Sequence, residues 1–152
     1  WVWHKRRTDF RKFWRQVYNS GIARINLYKK YPESRKLVHL LPMVFTVGVI
    51  GTLLLLFFGF LPYILDTVHV FPTLGNAMAA LGCIGLLGII LYIIALFIDS
   101  SRKNHSVKIG VLSIRAAFTQ LMGYGCGFLS AWWKRCLLGQ SEFSAYNKTF
   151  YK

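Results

Sequence analysis

The sequence predicts an all-α membrane protein: amphipathic interfacial helices, then a transmembrane helical hairpin, then a third helix. Three observations predict it. Hydrophobic residues make up 55% of the 152 residues while the formal net charge is +14, so the chain is both apolar and strongly cationic. The two properties are separated along the chain. Residues 1–36 hold Lys5, Arg6, Arg7, Arg11, Lys12, Arg15, Arg24, Lys29, Lys30, Arg35 and Lys36 against Asp9 and Glu33 alone, whereas residues 37–98 hold no Lys or Arg. Inside that cation-free block lie two apolar runs long enough to cross a bilayer. The expected organisation is a basic cytoplasmic interfacial segment over 1–36, a transmembrane hairpin over 37–101, and a loop, third apolar helix and polar tail over 102–152.

A cationic excess of this size points to nucleic acid or to an anionic membrane surface. With an apolar block beside it, the economical reading is membrane lipids and anionic headgroups as partners, and no nucleic acid. The chain opens Trp1-Val-Trp and shows no signal-peptide pattern, so it is expected to be a piece of a longer protein whose upstream part carries the chemistry. Cys83, Cys126 and Cys136 are odd in number and lack CxxC spacing; they are expected to be small buried hydrophobes, neither a disulfide frame nor a metal site.

The first element runs from about Asp9 to Tyr31. Phe10, Phe13, Trp14, Val17, Tyr18, Gly21, Ile22, Ile25 and Tyr28 recur at three- and four-residue steps, which places them on one helical face. Arg11, Lys12, Arg15, Asn19, Lys29 and Lys30 fall largely on the other. An aromatic-rich apolar face opposite a cationic one suits a helix lying in the membrane interface, although a helix packed on a soluble domain carries the same pattern. Gly21, following Asn19-Ser20, is expected to divide the stretch into two helices, and Pro32 to stop it.

The second element is the run from Leu40 to Leu61. A hydrocarbon core about 30 Å thick needs about 20 helical residues, so this run spans. Pro42 is tolerated near its start because first-turn amides lack intrahelical partners, and Pro62 with Asp66 is expected to mark its far end. Asn76 to Ile98 is the third element and a second span, in which Gly82, Gly85 and Gly88 recur every three residues and should give one smooth face for close helix contact. The connection between the spans carries no Lys or Arg, whereas residues 1–36 and the Arg102–Lys108 stretch are basic. The positive-inside rule puts the N-terminal segment and the Arg102 loop in the cytoplasm and the short connection outside.

Residues 107–135 carry an apolar stripe (Val111, Ile114, Phe118, Leu121, Met122, Gly125, Leu129) interrupted by Arg115 and Gln120. A full span would carry Lys134 and Arg135 to the outer face, against the same rule. A helix lining the protein interior, a re-entrant segment and a second interfacial helix each fit. Trp132 and Trp133 beside Lys134 and Arg135 are expected to form an interface anchor, followed by a loosely ordered tail from Gly139.

A search for catalytic chemistry finds none. The five acids are scattered, His4, His39, His69 and His105 show no ligand spacing, and no phosphate-binding or nucleophile-elbow motif is present. The triplets beginning at Asn104 and Asn147 fit the glycosylation sequon but are uninformative. What remains is a polar set expected at the membrane surface: His4, Arg6, Arg7, Arg11, Gln16 and Arg24. Guanidinium groups near an interface suit a phosphate or diphosphate, since the planar fork donates two hydrogen bonds; a solvated, headgroup-facing surface would have the same composition.

The run from His4 through Arg24 resembles the segment that follows the catalytic domain in bacterial family 2 glycosyltransferases of the succinoglycan-biosynthesis type. There a valine, an aromatic residue and a histidine lead into an arginine, an F-x-x-Q pattern, then glycine and arginine. In this chain those are Val2, Trp3, His4, Arg7, Phe13, Gln16, Gly21 and Arg24. The likeness continues through Lys30-Tyr-Pro32, Leu40-Leu-Pro42 and the hydrophobic hairpin, and ends with Tyr124-Gly-Cys-Gly-Phe128, which looks like that family's late Tyr-Gly-x-Gly-Phe element.

The resemblance implies a GT-A nucleotide-sugar domain upstream, with metal-binding acids for Mg or Mn and a catalytic carboxylate; no cofactor and no catalytic residue fall in this piece. It also implies that His4, Arg7, Gln16 and Arg24 approach the donor diphosphate, and that a nucleotide-sugar and a lipid-linked acceptor are the partners of the upstream domain. The place would be the bacterial inner membrane. The Q-x-x-R-W motif of processive synthases is absent, the order here being Trp14-Arg15-Gln16, which argues against processive polymerisation. The rival expectation is a small non-enzymatic helical membrane protein acting as an anchor or scaffold. A channel or transporter is disfavoured, because the two spans carry no Asp, Glu, Lys, Arg or His.

Overall fold

A computed structural model describes residues 9–34, 36–65 and 72–139 of the chain. Among them the protein is all-α: helices α1 (Phe10–Lys30), α2 (Leu41–Ile64), α3 (Pro72–Asn104) and α4 (Val107–Trp132), with short 3-10 turns at Pro32–Ser34 and Leu37–Leu40 and a π-helical turn at Trp133–Leu137. His4, Arg7, Asp66, His69 and the tail beyond Gly139 lie outside the described residues.

The packing divides the chain into two units. One is formed by the described residues up to Thr46 together with those from Arg115 onward; the other is Val47–Ile114.

In the first unit α1 starts on Asp9, whose Oδ1 accepts from the Arg11 amide at 2.9 Å and satisfies one of the helix's orphan donors. It then runs unbroken for 21 residues, so Gly21 does not divide it. The glycine is a contact point. A Cβ there would stand 2.7 Å from the Phe128 amide nitrogen and nearer still to the Tyr124 carbonyl oxygen, so α1 and α4 meet backbone to backbone. Gly127 answers it by lying against the Tyr18 backbone, and Gly123 by receiving Val17 and Trp14. Glycine was an ambiguous sign: it serves a break and a close approach equally.

Around this contact Ile22, Ile25, Phe128 and Ala131 form a small buried core, flanked by Tyr18, Tyr28, Leu40, Met43 and Tyr124. Most of the predicted apolar face of α1 is turned inward, while Arg11, Lys12, Arg15, Lys29 and Lys30 are exposed; Asn19, expected on the polar face, is buried, and Trp14, expected on the apolar one, is exposed. On its other side α4 meets the start of α2. Thr46 is fully buried, and its hydroxyl lies 2.9 Å from the Pro42 carbonyl and 3.2 Å from that of Leu121. Gly125 makes room for it, since a Cβ there would stand 2.6 Å from the Pro42 carbonyl. Phe45 and Phe118 pack edge to face alongside, ring centroids 5.5 Å apart.

In the second unit the contact between α2 and α3 is also glycine-made. Gly82 faces Leu56, Gly85 faces Thr52, and Gly59 of α2 meets the Ala79 backbone. Gly88 has nothing within 4 Å, so the expected three-glycine face is two glycines of α3 and one of α2. The Tyr63 hydroxyl donates to Asn76 Oδ1 near the far end. Pro62 does not end α2; the helix continues to Ile64 with Pro62 in its last turn, and the ring packs toward Gly75. α3 outlasts its apolar run at both ends. It begins at Pro72, where proline's fixed φ suits a first turn, and it carries Asp99 and Lys103 as an exposed pair 2.9 Å apart in its last turns.

Two helices are long and apolar enough to cross a membrane: one within Leu37–Ile64 and one within Pro72–Asn104. Only 17% and 6% of their most apolar stretches are buried inside the protein. A core helix of a soluble protein buries its apolar side chains; these leave Leu53, Phe57, Ile84, Leu87 and Leu91 facing outward, as a hydrocarbon solvent permits and water does not. Residues 107–135 form one continuous helix with a π-helical end, and no break of the kind a re-entrant loop needs.

Candidate functional site

The described members of the predicted anion-binding set lie on α1. Gln16 is exposed and its backbone carbonyl accepts from the Ser20 hydroxyl at 3.0 Å. Arg24 is half-buried two turns later. Eight helical residues place the two about 12 Å apart along the axis and about 80° apart around it, so they do not converge on one small anion by themselves. Arg24 has other company: it and Lys36 both lie within electrostatic reach of His39, whose ring centroid is 6.5 Å from that of Tyr28.

That neighbourhood opens on a cleft the sequence gave no sign of. It has a volume of about 660 Å³ and lies wholly within the first unit. α1 contributes Ile25, Tyr28 and Lys29; the 3-10 turn and the start of α2 contribute Lys36, Leu37, Leu40 and Met43; α4 and the π-helical turn contribute Phe128, Leu129, Trp132 and Cys136. The walls are almost entirely apolar. Among the described residues Lys29 and Lys36 are the charged ones in the lining.

Several bonds fix the cleft's rim. Lys29 Nζ donates to the Arg135 carbonyl at 2.6 Å, and the Arg135 guanidinium donates to Asn26 Oδ1, so the end of α4 is tied to α1 twice. Within the π-helical turn Arg135 is held by α1, while Cys136 lines the cleft. On the opposite rim the Tyr28 hydroxyl reaches the Lys36 carbonyl at 3.5 Å, a marginal contact, and Tyr28 packs edge to face on Phe128 at 6.3 Å between centroids. Neither Lys29 nor Lys36 forms an ion pair among the described residues. The expected interface anchor is split accordingly: Trp132 and Trp133 are exposed, but Arg135 turns inward to α1.

The interruption at Arg115 also finds its reason here. The guanidinium lies over the Phe10 ring, 4.2 Å from its centroid, which joins α4 to the first residue of α1. Chemically, the unit offers cations and an apolar cavity. Among the described residues no group of three or more His, Cys, Asp or Glu could hold a metal ion, and the three cysteines are free; Cys83 and Cys136 are exposed and not buried as expected, because the apolar stretches that carry them face outward. Comparison with protein-family models, with curated proteins and with solved structures found no match.

Proposed function

We propose that this chain is the C-terminal membrane-anchoring region of a family 2 glycosyltransferase, whose nucleotide-sugar domain precedes Trp1. The upstream domain would transfer a sugar to a lipid-linked acceptor with the help of a divalent metal, Mg or Mn, held by its own acids. In this reading α2 and α3 cross the bacterial inner membrane, and α1 sits on the cytoplasmic side, because the basic residues flank the spans there and the connection between them carries none. Arginines at the headgroup level, together with His4, Arg7 and Gln16, offset the charge of the leaving diphosphate.

One observation carries the proposal. The stretches that bear the family resemblance are far apart in the sequence, yet they pack on one another: Gly21 of the first lies against Tyr124 and Phe128 of the last, and Gly125 lies against Pro42 of the middle one. Their meeting in one folded unit supports the reading that these stretches act together. The test joins this region to its native upstream sequence and changes Gln16 and Arg24 singly to Ala. Sugar transfer is expected to fall while membrane insertion stays normal; unchanged kinetics in both variants would remove these residues from the site.

The non-enzymatic alternative, an anchor or scaffold, draws on a different observation. Gly48, Gly51 and Gly88 have open space around them, so a partner helix could approach there. The upstream reading frame separates the two. About two hundred further residues with an α/β pattern and acidic motifs support the enzyme, and a start codon close to Trp1 supports the scaffold.

A further inference from the structure

We propose that the cleft of the first unit seats one acyl chain of an anionic phospholipid, with the lipid phosphate held by Lys29 and Lys36. The proposal rests on the membrane placement of α2 and does not depend on sugar transfer. Its volume of about 660 Å³ falls within the ~300–1,000 Å³ of ordinary small-molecule sites, and its walls are hydrocarbon and aromatic.

The position of the cleft says what enters it. Leu37, Leu40 and Met43 line it and lead directly into the spanning helix, so the cavity opens where the chain passes into hydrocarbon. Leu37 is 83% exposed, and Leu41, Trp133, Leu137 and Leu138 expose further apolar surface in the same unit. An occupant arriving from the bilayer crosses no polar barrier.

Charge selects the head. Lys29 spends one N–H on the Arg135 carbonyl, which fixes the ammonium at the rim with its other donors unspent. Lys36 lines the same cleft, and neither lysine is neutralised by a carboxylate among the described residues. Two ammonium groups beside an apolar cavity match a headgroup of net negative charge better than a zwitterion, whose own cation repels them. The π-helical turn contributes Cys136 to the wall, and its Arg135 is hydrogen-bonded to Asn26 of α1.

The experiment is native mass spectrometry of the full 152-residue chain released from detergent, titrated with phosphatidylglycerol or with phosphatidylcholine of the same acyl chains. One phosphatidylglycerol is expected to stay bound, at about tenfold lower concentration than phosphatidylcholine requires, a ratio two lysines near an anionic head would give. Lys29→Ala with Lys36→Ala is expected to erase that preference, and the arginine pair to keep it. Cys136→Phe is expected to displace the lipid by filling the cavity. Equal retention of the two lipids, or preference surviving the alanine pair in a variant of unchanged helicity, overturns the proposal. So does competition by water-soluble glycerol phosphate, which would make the site one for a free anion. Displacement of phosphatidylglycerol by an equimolar isoprenyl phosphate overturns it as well, by giving the seat to a substrate chain; sugar transfer by the joined protein is read separately.

Discussion

Replacing Gly21 with alanine tests whether α1 is held to α4 by backbone contact. On an exposed helix the change would stabilise, because alanine is better than glycine by about 1 kcal/mol in a helix interior. Here the new methyl group would meet the Phe128 amide at 2.7 Å and the Tyr124 carbonyl carbon at 3.1 Å. These are backbone atoms of another helix and cannot rotate aside, so α1 and α4 must separate and the Ile22, Ile25, Phe128 and Ala131 core must loosen with them. Overpacking of this kind costs about 1–3 kcal/mol, and contact against rigid backbone belongs at the upper end, leaving a net loss of roughly 2 kcal/mol after the propensity gain. Gly88→Ala is the matched control, since nothing lies within 4 Å of its added Cβ and it should gain up to about 1 kcal/mol. The assay is unfolding in mixed micelles followed by circular dichroism, on both variants and the parent. A Gly21→Ala protein as stable as Gly88→Ala, or more so, would refute the close approach of the two helices.

Two further outcomes follow from the packing. Thr46→Val keeps the shape of the side chain but removes the hydroxyl that lies near Pro42 and Leu121, and should cost about 0.5–1.5 kcal/mol in the same unfolding assay; no loss would mean that α2 and α4 are not joined by that bond. Cys83 is exposed on the lipid-facing length of α3, so with Cys126 and Cys136 changed to serine it should resist a water-soluble maleimide in lipid nanodiscs, whereas Lys103→Cys at the polar end of the same helix should label rapidly. Equal labelling of the two positions would place α3 in water.

The sequence made the helices and the spans legible because both announce themselves by period and length. The nine apolar positions of α1 follow the 3.6-residue repeat, and most of the face they define is turned inward. α2 and α3 needed only an unbroken run of hydrocarbon side chains. Gly82 and Gly85 were legible as contacts from their spacing, but the glycines that join α1, α4 and the start of α2 were not. Gly21 looked like a break and is a contact, and Gly123, Gly125 and Gly127 follow no single helical face because α4 has two partners, α1 through the first and last and α2 through the middle one. The cleft was invisible for a related reason. Its walls come from three separate stretches, and Lys29 and Lys36 were two basic residues in a run of eleven until the fold set both in the lining of one cleft.

This packing also changes how the first unit would meet a membrane. A lone amphipathic helix buries its apolar face among acyl chains, but α1 spends that face on α4, leaving Trp14, Leu27 and Tyr31 as its partly exposed large side chains. Contact with hydrocarbon therefore falls to residues around the cleft and the π-helical turn: Leu37, Val38, Leu41, Trp132, Trp133, Leu137 and Leu138 are all exposed. Tryptophans at that level suit the headgroup boundary, with an apolar body and one polar N–H. Under the proposed placement α1 reaches the interface as half of a helix pair, with Arg11, Lys12, Arg15 and Lys30 exposed along it and Lys29 at the cleft. The cations of one segment thus divide between the open surface of a helix and the lining of a cavity, a division that counting charges could not make.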